Sequence, residues 1–324
     1  MGAAILVATA TIVNVEFIIG NVGNGFIALA NIMDWVKRRK LSSLDQLLTA
    51  LAISRITLLW SLYLMKRTFL MDPNIDTIVQ STRLTNAIWI ISNHFSIWLA
   101  TILSIFYFLK IANFSNFIFY YLRWRFEKVI LVALLVSLVL FFIDILVTNM
   151  HINIWADEFK GNVSDSYKLK IFFQVSRLLV LTNTMFTFVP FTVSMIMFFL
   201  LIFSLWKHLK MVKHIALSSQ NASTTAHINA LRNVVVFLLL YVIFILSLFA
   251  HLWSFEFEEK TYFAFFCLVG IFALPSLHSC ILILGNSKLR EISLLVLSLL
   301  KCKMQGCESL GPWHTREDTF AQFQ

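Results

Sequence analysis

The chain has 324 residues, a net charge of +9, 59% hydrophobic residues and only 13% charged ones, with a mean hydropathy of +0.81. That is too apolar for an ordinary soluble domain. A nucleic-acid-binding module is excluded as well, because the basic residues are scattered over short segments between apolar runs instead of sharing one polar face.

Seven such runs are predicted to be membrane-crossing helices, over residues 8–33, 47–65, 87–109, 129–150, 178–205, 233–253 and 262–284. Each is close to the ~20 residues that a helix needs to cross a ~30 Å hydrocarbon core. The connections alternate between basic-rich and basic-poor, 17 lysines and arginines on one side against eight on the other, with Arg55 inside the second run. The rich side is expected to be cytoplasmic, which puts the N-terminus outside. The rim of basic residues there is expected to attract anionic membrane lipids and acidic partner surfaces. All seven runs are needed to close one bundle, so residues 1–301 read as one domain.

The first run has no basic segment before it and is long enough to remain as an anchor, so it is expected to be a span and not a cleaved signal. It carries Glu16 and Asn24. A polar group in lipid is costly without a partner, so Asn24 and Arg55, at similar depth, should face the bundle interior. The expected partners of Arg55 are Asn24 and, from the seventh span, His278 or Ser279. One reading is a static clamp on spans one, two and seven; the other is a clamp that rearranges on activation. Glu16 and Asp144 are expected near the outer ends of spans one and four, partly wet, with no role.

Span three carries Trp89, Asn93, His94 and Trp98. Positions 89 and 93 lie one turn apart on one face and would offer a ligand a flat apolar wall and one orienting amide. Helix packing with an interfacial aromatic belt is the alternative. His94 is expected to point to a neighbouring helix or to the pocket edge.

The longest outer connection, 149–177, contains Asn162-Val163-Ser164, a glycosylation acceptor. The triplets starting at Asn113 and Asn221 fall on the cytoplasmic side, which leaves Asn162. Pro190 and Pro275 are expected to kink spans five and seven. The cysteines are Cys267, Cys280, Cys302 and Cys307; none can pin span three to the long outer loop. The position of Cys302 and Cys307 permits palmitoylation, a free thiol being the alternative. After span seven, 287–301 reads as a short amphipathic helix with Leu289, Ile292, Val296 and Leu299 on one stripe, lying on the inner leaflet. The remainder, 302–324, is polar and expected to be disordered.

No enzyme signature is present: there is no catalytic or metal-ligating set and no phosphate-cradling loop, and no cofactor is implied. A channel filter or the glycine-broken repeats of a transporter are also missing. The remaining class is an all-α, seven-span receptor that couples to a cytoplasmic G protein; a transporter or scramblase of receptor-like topology is the competitor.

Several stretches identify the chain as similar to a known family. They are GNVGNGFIALANIMDWVKRRKLSSLDQLLTALAISRI across spans one and two and NHFSIWLATILSIFYFLKIANFSN through span three. Span five contributes PFTVSMIMFFLLIFSLWKHLKMVKH, span six FLLLY and span seven PSLHSCILILGNSKLRE. Together they resemble the bitter taste receptors, taste receptor type 2, up to about residue 303. The Asp-Arg-Tyr of other seven-helix receptors is replaced by FYFLKIA, and span seven has His-Ser in place of Asn-Pro.

The resemblance implies bitter small-molecule agonists and a gustducin-type heterotrimeric G protein acting through phospholipase C and calcium release at the plasma membrane. It implies agonist-pocket roles for Trp89 and Asn93, with Thr182, Phe186, Ser247 and Leu268 nearby. Tyr241 in FLLLY is implied to sit in the pocket and move on activation, and Arg55 and Asn24 match the family's span-two arginine and span-one asparagine. Tyr107 and Lys110, with His208 and Lys213, are implied to meet the G protein, and Asn162 to carry the glycan. Lys66 stands where several relatives have an aromatic residue, so the pocket rim is expected to favour anionic agonists. Homo- and hetero-oligomers both stay open.

Overall fold

The computed structural model describes residues 2–38, 42–68, 75–112, 114, 117–159, 165–215, 222–254 and 260–304. Side chains are placed for most of these. Among the described residues the secondary structure is entirely helical: α1 (Gly2–Arg38), α2 (Ser43–Thr68), α3 (Ile75–Ile111), α4 (Phe117–Trp124), α5 (Phe126–Phe159), α6 (Asp165–Ile215), α7 (Ala222–Ser254), α8 (Lys260–Gly285) and α9 (Ser287–Met304). Seven of them are long and apolar enough to cross a membrane: α1, α2, α3, α5, α6, α7 and α8. The helix order matches the seven runs read from hydropathy.

Helix ends differ from run ends. The run 178–205 lies inside the 51-residue α6, because hydropathy reports where lipid is the solvent while backbone hydrogen bonding continues into polar sequence. Helix α4, eight residues long, is too short to leave a membrane-length signal and was not anticipated.

The helices close a ring in which α1 packs on α2 and α8, α7 on α6 and α8, and α5 on α6. Helix α3 contacts α2, α5 and α6. Its apolar window is 72% buried, against 11% for that of α5. Thus α3 is the axial helix, and α5 turns Leu131, Leu135, Val139, Phe142 and Leu146 outward. In water so many exposed apolar side chains would drive aggregation; in lipid they are the solvated face.

Hydroxyls that cannot reach water return their protons to their own helix. Ser61 donates to the Leu58 carbonyl (2.7 Å), Ser92 to Ile88 (2.7 Å) and Thr184 to Val180 (2.7 Å), so each is tolerated at little cost. Close approach of α1 and α8 uses glycine. A methyl group on Gly20 would lie 2.6 Å from both Leu59 Cδ1 and Ser276 Oγ, and one on Gly23 would strike Ser279 Oγ. Gly25 has nothing within 4 Å of that position among the described residues.

Pro190 and Pro275 sit inside α6 and α8, which run on as helices through both. Their carbonyls accept bonds from other helices: Pro190 from Thr101 Oγ1 (3.2 Å) and Pro275 from Asn24 Nδ2 (2.9 Å). Neighbouring helices thus supply partners where proline weakens a ladder.

The last helix is capped by Asn286, whose Oδ1 accepts from the Leu289 amide at 3.2 Å. Leu289 is fully buried against the bundle, while Val296 and Leu299 are free to contact the leaflet. Lys288 ties this helix down. Its Nζ lies 2.8 Å from Asp34 and 3.2 Å from Asp45, and it donates to Asn31 Oδ1 at 3.3 Å. The sequence placed Lys288 only in a basic belt, since its partners come from α1 and α2. Residues 305–324, including Cys307 and most of the segment expected to be disordered, lie outside the described residues.

Candidate functional site

Two polar clusters interrupt the apolar interior. The first joins α2, α8 and α1. Arg55 is 1% exposed, and its Nη2 bonds Nδ1 of His278. A guanidinium has only donors, so this imidazole accepts through Nδ1 and carries its proton on Nε2. Nε and Nη1 of Arg55 have no partner among the described residues. Asn24 bonds elsewhere, donating to the carbonyls of Gly20 (2.8 Å) and Pro275 (2.9 Å). Ser279 donates to Ser276 O (2.6 Å). Of the three partners expected for Arg55, only His278 bonds it. Asn24 instead fastens α1 to α8 directly through its amide N–H, a donor that a guanidinium cannot accept.

From the first cluster a row of rings runs across the bundle. His278 packs on Phe237 (4.0 Å between centroids), Phe237 on Tyr241 (5.7 Å), and Tyr241 edge-on against Phe191 (5.0 Å). Tyr241 is fully buried. Its hydroxyl lies beside Thr101 and Ser194 without completing a hydrogen bond. These two hydroxyls tie α3 to α6: Ser194 donates to Thr101 Oγ1 at 2.9 Å.

The second cluster surrounds a small cavity between α3, α5 and α6. Helix α3 contributes Asn93, His94, Ile97 and Trp98, and α5 contributes Asp144. Helix α6 supplies Phe186, Thr187 and Pro190. About 10 Å³ is open to the centre of a water molecule, room for roughly one. Asn93 donates its amide to Thr187 Oγ1 at 3.0 Å, which fixes the ring of polar atoms. Oδ1 of Asn93, Oδ1 of Asp144 and Nε2 of His94 are buried without partners among the described residues. His94 is held by rings, 5.1 Å from Phe141 and 6.0 Å from Trp98.

The cavity brings together Asn93 and Phe186 of the predicted pocket. Trp89 and Thr182 are buried on α3 and α6, Ser247 on α7 and Leu268 on α8 are partly buried, and none of them lines this cavity. Tyr241 is likewise outside it. The side chain of Lys66 lies outside the described residues, as do those of His208 and Lys213, and Asn162 lies outside them altogether. Lys110 is exposed with Nζ 5.2 Å from the Phe106 ring, and Tyr107 is partly buried edge-on to that ring.

One expectation needs correction. Glu16 and Asp144, expected to be partly wet, are both buried, Asp144 because α5 turns it toward α3 and α6 at the cavity. Asp144 then becomes a pocket residue that sequence reasoning set aside. The available signal was a carboxylate in an otherwise apolar span, which calls for an interior partner.

The comparisons with known proteins give one answer. The sequence model of the family described as taste receptor protein (TAS2R) matches residues 1–301. The chain is 54% identical to taste receptor type 2 member 125 of Rattus norvegicus over 312 residues, 96% of this chain and 100% of that one. With taste receptor type 2 member 140 of Rattus norvegicus it shares 50% over 298 residues, 92% of this chain and 96% of that one. With taste receptor type 2 member 14 of Homo sapiens it shares 47% over 319 residues, 98% of this chain and 100% of that one. A match over almost the whole length, on seven membrane-compatible helices, leaves one assignment: the chain belongs to the taste receptor type 2 family, the multi-pass membrane receptors of bitter taste that couple to G proteins, and is not an enzyme.

Proposed function

We propose that the chain is a plasma-membrane receptor that takes bitter small molecules from outside into an intrahelical pocket and activates a gustducin-type G protein, with phospholipase C and calcium release downstream. The observation that carries the pocket assignment is Asn93. It is 5% exposed, anchored through its amide to Thr187, lines the cavity and has a carbonyl oxygen with no partner among the described residues. A buried acceptor without a partner costs about 1–3 kcal/mol, so a ligand that supplies a donor there regains that amount. Phe186 and Trp98 provide flat apolar walls beside it.

In this reading Trp89, Thr182, Ser247, Leu268 and Lys66 extend the pocket toward the outer mouth. The bonds of Thr101 to Pro190 and of Ser194 to Thr101 set the cavity wall beside Tyr241, a member of the ring row that ends at the Arg55–His278 pair. Agonist binding shifts the bundle toward the signalling state only by its differential affinity for that state. The shift opens the cytoplasmic ends of α6 and α7, where Tyr107, Lys110, His208 and Lys213 meet the G protein. Asn162 carries the glycan.

Asn93→Ala tests the pocket. Agonists with a hydrogen-bond donor should lose about 1 kcal/mol, close to a fivefold rise in half-maximal concentration, in calcium responses at equal surface expression. Unchanged responses across a panel of such agonists would reject the pocket.

A further inference from the structure

Two of the atoms without a partner around the cavity, among the described residues, are oxygen acceptors. Asn93 gives one amide hydrogen to Thr187, and its carbonyl oxygen has no partner among the described residues. Asp144, 4% exposed as a residue, offers a carboxyl oxygen with no partner among the described residues. His94 Nε2, also buried and unpartnered, adds an acceptor in one tautomer. Trp98 and Phe186 also line the space, and the face of an aromatic ring attracts a cation. Among the described residues no lysine or arginine lines the space. Away from water the negative ends of such groups act with little screening.

We propose that the cavity between α3, α5 and α6 is a subsite for a compact cation, the protonated amine head of an agonist, held by Asp144 and the Asn93 carbonyl. The open volume fits one ammonium-sized group and not a whole ligand, so the apolar body of the agonist extends away from it. The subsite distinguishes amines from acids: a carboxylate would face Asp144 across a few ångströms of low dielectric. It therefore selects the charge opposite to the one expected from Lys66. The inference rests on the reading of this chain as a small-molecule receptor, but binding can be measured without signalling.

The test uses the purified full-length chain and two probes of equal length, 4-phenylbutylamine and 4-phenylbutanol. Each is titrated against thermal stability, since a ligand that binds the folded state raises the melting temperature. The wild type should bind the amine more tightly than the alcohol. Asp144→Asn should weaken the amine by about tenfold or more and the alcohol by less than about twofold, and Asp144→Glu should keep the preference for the amine. Equal weakening of both probes by Asp144→Asn would make Asp144 a structural residue and overturn the subsite. So would equal binding of both probes to the wild type. Repeating the melts in sodium chloride and in N-methyl-D-glucamine chloride separates the sources of positive charge. Sodium stabilisation lost in Asp144→Asn, with no preference for the amine, would assign the site to a free ion and overturn the agonist-head assignment. Calcium responses of the same variants report on the receptor reading separately; their absence with amine-selective binding intact would reject signalling and leave the subsite standing.

Discussion

The Arg55–His278 pair makes an asymmetric prediction about stability. Arg55 is 1% exposed, and one bond, to His278, is all that meets its charge among the described residues, with Nε and Nη1 unpartnered. Replacing His278 with Phe keeps a ring against Phe237, now 4.0 Å away, but removes the acceptor. That leaves a buried guanidinium unmet, for which the expected loss is about 3–5 kcal/mol. Replacing Arg55 with Met removes the charge together with its desolvation cost and leaves a neutral imidazole with one unused acceptor. The expected loss is about 1 kcal/mol or none. The double variant Arg55→Met, His278→Phe should therefore be more stable than His278→Phe alone, with a coupling of about 2 kcal/mol or more. Thermal unfolding of the detergent-solubilised chain, read as loss of monodisperse receptor, resolves this, since 3–5 kcal/mol corresponds to a drop on the order of 10 °C. If His278→Phe costs no more than Arg55→Met and the two losses add, the guanidinium is not held by that imidazole and the clamp is misassigned.

Other outcomes follow from single contacts. Gly20→Ala should lower stability by about 1–3 kcal/mol through overpacking against Leu59 and Ser276, whereas Gly25→Ala should be neutral or stabilise by up to about 1 kcal/mol; the melting temperatures of the two variants check the pair. Thr187→Val removes the acceptor for the Asn93 amide and should cost about 1–3 kcal/mol while weakening donor-bearing agonists, read by melting and by calcium response. Lys288→Ala releases α9 from Asp34 and Asp45; the pairs are partly exposed, so the loss should be near 1 kcal/mol and shrink in high salt. Asn162→Gln should remove one glycan-sized mobility step on a denaturing gel.

What the sequence disclosed depended on whether the signal was local. The seven spans were legible because lipid imposes one rule on about twenty consecutive residues. Arg55 was legible as an interior group because a charge in an apolar run has few options. Its link to His278 was among the partners expected, but Asn24 bonding to Pro275 was not, since depth along a helix says nothing about rotation about its axis. Asp144 and His94 belong to different helices, and their meeting at one cavity depends on how α5 packs on α3. The same holds for Lys288, whose acidic partners come from two other helices. Helix α4 escaped for the opposite reason: its eight residues form no membrane-length pattern.

The most direct test places the purified chain in lipid nanodiscs with a gustducin-type heterotrimer and measures nucleotide exchange on the α subunit as bitter compounds are added. Agonist should accelerate exchange with the wild type, and Asn93→Ala should shift the concentration needed. Compounds that bind or cross the membrane with no change in exchange would contradict the receptor account and favour a transporter of the same topology.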